Sequence, residues 1–235
     1  MNLRRLLVAA AVVWLSGCAY DIAPVGPEEH ETRAIERDNA ELVRVNLKMG
    51  AGDLNVRGGA KKLMEGAFVY NLPSWQPKIR YNNTGVRGDL TIEQGRTGHT
   101  HHGNAKYRWD IALNDEVPLD LNVDFGAGNA HLDLGSLSLR SVRLDMGVGE
   151  MRMDLRGQPA RDYTVTVNGG VGEATLLLPP SAGISAEAKG GIGGINTRGL
   201  HKENGRWVND AFEHAKVKIM VSVHGGVGSI NLFAE

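Results

Sequence analysis

The chain has 235 residues, 31 of them glycine and one cysteine, and carries a formal charge of -1 from 26 basic and 27 acidic side chains. The balanced charge gives no reason to expect a nucleic-acid partner, and the lone cysteine excludes an intramolecular disulfide. Glycine stands at about twice its usual share of roughly 7%, and because it recurs periodically it marks backbone corners, not disorder.

Residues 1–17 read as an export signal. Arg4 and Arg5 form a positive start, and the apolar stretch Leu6–Leu15 is too short to span a bilayer, which needs about 20 residues. It ends in Leu15-Ser16-Gly17-Cys18, which resembles the lipobox of bacterial lipoproteins. The resemblance implies cleavage before Cys18, acylation of its sulfur and often of the new amino group, and so a membrane partner. Two or three acyl chains hold stably, because each buried CH₂ contributes about 0.8 kcal/mol and one chain alone is marginal. Ala19, not Asp, follows the cysteine. By resemblance to the usual Gram-negative sorting rule this implies the outer membrane, with the face unspecified. Residues 18–40 carry Pro24, Gly26 and Pro27 and then Glu28-Glu29-His30-Glu31. Nothing there can bury a core, so a flexible tether is expected, with a short charged helix near Thr32–Ala40.

The remaining chain repeats one phrase, a glycine, small aliphatic, glycine triplet. Its copies are Gly50-Ala51-Gly52, Gly126-Ala127-Gly128, Gly147-Val148-Gly149, Gly170-Val171-Gly172, Gly191-Ile192-Gly193 and Gly226-Val227-Gly228. Period-2 runs such as Val43, Val45, Leu47 and Leu54, Val56 flank the copies, the pattern of half-buried strands. The first repeat and a long insertion make up residues 41–117. The insertion offers strands at Ala67–Tyr70, Lys78–Tyr81, Asp89–Glu93 and Tyr107–Leu113, and is expected to cover one end of the stack. Residues 118–235 hold the other five repeats, with a hairpin over 199–213 signalled by Asn204-Gly205. The chain stops almost inside its last strand, Ile230–Phe233, so a cover over that strand is expected, with Leu200–Phe212 as the candidate. No convincing amphipathic helix follows residue 40. The fold expected is all-β and solenoid-like, with an inserted β subdomain near its N-terminal end.

The triplets, the hairpin from Gly199-Leu200 to Trp207-Val208 and the closing Gly226-Val227-Gly228-Ser229-Ile230-Asn231-Leu232 are similar to the bacterial toast-rack family. Gly66-Ala67-Phe68-Val69-Tyr70-Asn71 and Pro73-Ser74-Trp75-Gln76-Pro77 resemble its N-terminal module. The likeness covers about residues 41–235. It implies a repetitive, right-handed β-helical domain of membrane-attached envelope proteins, with adhesins and regulators of the cell-wall antibiotic response among the relatives. The family carries no established catalytic residues to transfer. The lipobox departs from relatives held by transmembrane helices.

Four groups of residues are site candidates. The triplets do not fit a dinucleotide fingerprint, since His131, Arg152, Thr175 and Asn231 stand where its third glycine belongs and strands follow instead of a helix. Glu150 and Glu173, each just after a triplet, are expected outward on adjacent rungs about 5 Å apart, in a ladder that suits a cation, a polysaccharide or plain solvation. His99, His101 and His102 form the only histidine cluster and a candidate zinc or copper site, in a glycine-rich stretch that equally suits an exposed loop. Trp75, between Pro73 and Pro77, is the aromatic expected at the surface, while Phe68, Tyr70, Tyr107 and Trp109 are expected in the core. No Ser/His/Asp signature, cysteine nucleophile or HExxH motif is present. The expected function is that of a lipid-anchored envelope protein, non-catalytic and adhesin-like, with an envelope protein or glycan as partner and no cofactor. A regulatory module of the envelope-stress or antibiotic response is the alternative, and an enzyme acting on envelope polysaccharide the third reading.

Overall fold

Each alternating run folds as a strand; five of the six glycine triplets bend that strand without ending it, and the fifth copy, Gly191-Ile192-Gly193, breaks it. The structure is a computed structural model that describes residues 25–95 and 105–235, and it forms one fourteen-stranded sheet. Seven strands belong to the N-terminal part: β1 (Glu29–Ile35), β2 (Leu42–Arg57), β3 (Met64–Tyr70), β4 (Lys78–Asn83), β5 (Arg87–Glu93), β6 (Tyr107–Leu113) and β7 (Leu119–Asp133). The remainder are β8 (Leu139–Asp154), β9 (Tyr163–Leu178), β10 (Gly183–Ile192), β11 (Ile195–Arg198), β12 (His201–Glu203), β13 (Arg206–Val208) and β14 (Lys218–Ala234). A single 3₁₀ turn at Pro73–Trp75 is the only helical element among the described residues.

The repeats are β2, β7, β8, β9, β14 and the broken pair β10–β11, all parallel. Their triplets stack in register, Gly52 beside Gly128, Gly128 beside Gly149, Gly149 beside Gly172 and Gly172 beside Gly228. Glycine is required twice over. A Cβ on Gly147 or Gly170 would lie 2.4 Å from the carbonyl oxygen of the corresponding glycine one strand away. The third glycine also takes a positive φ, +139° at Gly172, where a Cβ would come within 1.7 Å of the Gly149 oxygen.

Bending gives each repeat two arms. In β2 the first arm buries Val43, Val45 and Leu47, the second buries Leu54 and Val56, and the equivalent residues of β7, β8, β9 and β14 continue both rows. Each such side chain contributes about 1.5–3 kcal/mol by leaving water. Between rungs the chain passes from the end of one second arm to the start of the next first arm, closing the open side of the wedge with buried Leu134, Leu137 and Leu155.

The insertion covers the first rung as expected: β5 extends the first arm of β2 and β6 extends the second. Phe68, Tyr70, Tyr107 and Trp109 are buried in it, with Phe68 and Trp109 edge to face at 5.7 Å. Three expectations change. The segment read as a helix near Thr32–Ala40 includes instead most of β1, antiparallel to β3; a lone short helix there would lack the partner that the β3 edge supplies. The described end of the expected tether is docked, since the Gly26 N–H donates to the Asn71 carbonyl and Tyr81 and Asn83 donate to the Asp38 carboxylate. Finally, the sixth repeat is not last in space. β14 slots between β9 and β10, and the β12–β13 hairpin pairs with β10, not with the terminal strand. The hairpin signal itself holds, with Asn204 and Gly205 at φ 46° and 81°.

Candidate functional site

Outside the wedge, alternation sets polar side chains in rows that cross the strands. Glu150 and Glu173 occupy directly opposed positions of β8 and β9, and both are exposed. With His131, Arg152 and Thr175 they line a shallow groove of about 190 Å³. Glu173 is engaged: its Oε1 accepts from Asn231 Nδ2 at 2.7 Å and from the Thr175 hydroxyl at 3.3 Å. Asn231 Nδ2 also donates to Thr175 Oγ1 at 3.0 Å, and Asn196 donates to Asn231 at 2.8 Å, so the row is a hydrogen-bonded ladder over three strands. Thr175 and Asn231 are buried within it, where alternation alone expects them outward. Glu150 makes no hydrogen bond or ion pair among the described residues. Adjacent strands give the spacing that a carboxylate pair needs, and both side chains are exposed.

Trp75 is half-buried, not exposed. It packs edge to face on Tyr107 at 5.2 Å, and its carbonyl accepts the Tyr107 hydroxyl at 2.6 Å. Strands β2 and β7 separate β6, on which it rests, from Glu150 and Glu173, so these three residues do not converge. His99, His101 and His102 lie outside the described residues, as do Leu15, Ser16, Gly17 and Cys18. Among the described residues no three His, Cys, Asp or Glu side chains gather as a metal shell, and no helix is long and apolar enough to cross a membrane.

A different feature runs along the bend. The middle residues of the triplets stack as Ala51, Ala127, Val148, Val171, Val227 and Ile192 in strand order. The last four are exposed, from 46% at Val227 to 73% at Ile192. Single exposed aliphatics are ordinary; here they form an unbroken row along the rim of the sheet. Beneath it the corner changes character. Met49, Phe125 and Met146 fill the inner side in β2, β7 and β8, whereas Gly169, Gly225 and Gly190 occupy the same register in β9, β14 and β10. A cavity of about 40 Å³ remains there. The ridge is hard to foresee in sequence, because the triplet's middle residue continues the core-facing phase of the first arm, and only the bend turns it outward.

The N-terminal domain of toast_rack, DUF2154, matches residues 24–177. A solved protein from Clostridium sporogenes ATCC 15579, described as a candidate cell adhesion protein, is 32% identical with a TM-score of 0.84, over 89% of this chain and 100% of that one. A candidate adhesin from Bacteroides fragilis NCTC 9343 aligns over 90% of this chain and 99% of its own at 10% identity, with a TM-score of 0.28. Among curated proteins nothing matches. The family match, the stacked glycine corners and the shared fold of the Clostridium protein agree, and the chain belongs to the toast-rack family.

Proposed function

We propose that this protein is a lipid-anchored, non-catalytic interaction module of the cell envelope, adhesin-like in that it binds a protein surface through its aliphatic ridge. The ridge carries the reading: Val148, Val171, Val227 and Ile192 stand on backbone pinned by two rows of stacked glycines, so little ordering entropy opposes binding. The ridge holds no aromatic ring for a sugar to stack on, and the aromatics of the insertion are turned inward, which favours a protein partner over a glycan. The cell adhesion description of the Clostridium relative supports the same class of role. Attachment through Cys18 rests on the lipobox, and the outer membrane on Ala19 after it.

In-cell crosslinking with mass spectrometry tests the reading. The wild-type chain should capture a protein that is lost when Val171→Asp and Val227→Asp are combined; equal capture by both, or none by either, overturns it. Cys18→Ala should move the chain from the membrane fraction to the soluble periplasm, and a variant still in the membrane refutes the anchor. The in-register pair Glu150 and Glu173 favours polysaccharide cleavage as a second reading. Release of sugar fragments by wild type and not by Glu150→Gln/Glu173→Gln would put catalysis in its place.

A further inference from the structure

The free edges of the sheet are not equivalent. β1 reads Glu29-His30-Glu31-Thr32-Arg33, β4 opens with Lys78-Ile79-Arg80, and β12 is His201-Lys202-Glu203. Charges of this kind keep other strands from adding to an edge. The remaining edge is the outer margin of the fifth repeat. There β13 pairs with β10 only at Ser185 and Ala186, and β11 pairs only with β14. Glu187–Gly191 on the first arm and Gly194–Arg198 on the second are left without an outer neighbour among the described residues. The stretch at the bend is uncharged: Gly190-Gly191-Ile192-Gly193-Gly194-Ile195-Asn196-Thr197. The Gly194 carbonyl accepts from the Ile230 N–H, so by the alternation of a parallel ladder Ile195 and Thr197 direct their own N–H and C=O groups outward.

We propose that this edge pairs with the same edge of a second copy of the chain, related by a two-fold axis through the bend, so that two stacks meet end to end in one continuous sheet. The bend selects the partner. A straight strand can follow only one arm, whereas an equally bent strand can follow both. A two-fold through the corner exchanges the arms and lays the first arm of each copy antiparallel to the second arm of the other. The open lengths match, Glu187–Gly191 against Gly194–Arg198. The register centred on the corner sets Glu187 of each copy opposite Arg198 of the other, and Lys189 then faces Asn196. Within one copy Glu187 is already ion-paired with Lys189 and Arg206, and Arg198 with Glu235, so each of these pairs meets the opposite pair across the axis as a cluster of both signs. Ile195 comes to rest over Gly190, where no side chain competes.

The test uses the full-length chain in detergent, with the protein mass per particle read by light scattering. Wild type should contain two copies and Ile195→Lys, which gives this edge the kind of charge the others carry, should contain one with an unchanged melting temperature. A second variant does not depend on that substitution. Ile192→Cys, next to the axis, should form a disulfide-linked dimer in cell membranes under mild oxidation. Wild type, and Met220→Cys at an exposed site on β14, should not. A wild-type particle of one copy at micromolar concentration overturns the proposal, as does a two-copy particle in Ile195→Lys or a failure of Ile192→Cys to crosslink. A single-copy chain that binds a foreign extended peptide along β11 overturns it too, in favour of a heterologous strand.

Discussion

Gly169 and Gly172 stand three residues apart in β9 under opposite constraints. Gly172 has φ +139° and backbone oxygen within 1.7 Å of any added Cβ, whereas Gly169 has no positive φ and its nearest neighbour would be the His224 carbonyl at 4.0 Å, beside a cavity. Gly172→Ala should therefore lower stability by at least about 2 kcal/mol, and Gly169→Ala should raise it by about 0.5–1 kcal/mol through the unfolded chain. Urea midpoints decide; two shifts of the same sign would mean the corner is not held as described. The tyrosines carry a pH prediction. Burial first, and hydrogen bonds to Glu31 and Asp38 second, push Tyr70 and Tyr81 up to about 12, and burial raises Tyr107 and Tyr163 as well. A raised tyrosine pKa favours the protonated phenol in the folded state. The stability linked to it is complete below about pH 10 and is lost as pH climbs through 12. Spectrophotometric titration should show these phenols still protonated at about pH 11, with the urea midpoint falling over the same range. Normal ionisation of Tyr70 and Tyr81 in the folded chain would count against this.

At the scale of elements, the position of β14 has the largest consequence. It is the last strand in sequence, yet it lies between β9 and β10 and supplies the parallel partner for both β10 and β11. Deleting residues 218–235 should therefore free β10–β13 along with β14. Hydrogen exchange in such a chain should show the Gly183–Lys189 amides unprotected while β7 and β8 stay protected. Protection retained at β10 would mean that it can dock on β9 directly. The misread helix at the N-terminus belongs to the same scale. Its charged residues have no period of 3.6 or of 2, and only the free edge of β3 makes Glu29–Ile35 a strand. By contrast Tyr107–Leu113 was legible residue for residue, because alternation and aromatic β-propensity agree there.

For the whole molecule, family and fold class were legible because the same local rule, apolar alternation around a glycine corner, is written six times. The proposed anchor rests on motif alone, and the Cys18→Ala fractionation described above is the measurement at this scale; composition read as a tether a segment whose described end is docked on the insertion. The candidate site divides in the same way. That Glu150 and Glu173 share a row follows from their equal distance after a triplet, and the structure keeps it. That Glu173 is bound into a ladder with Thr175 and Asn231 depends on β14 lying beside β9, which no local signal encodes. The sequence by itself determined where each strand bends and which apolar side chains of the two arms face the core, because both follow from period-2 alternation and from the space a Cβ needs. Only the tertiary structure decided the spatial order of the rungs, the burial of Trp75, the continuity of the ridge and the edge left open. Those properties arise between strands distant in the chain, whose glycine corners are interchangeable enough that local sequence does not say which stacks on which.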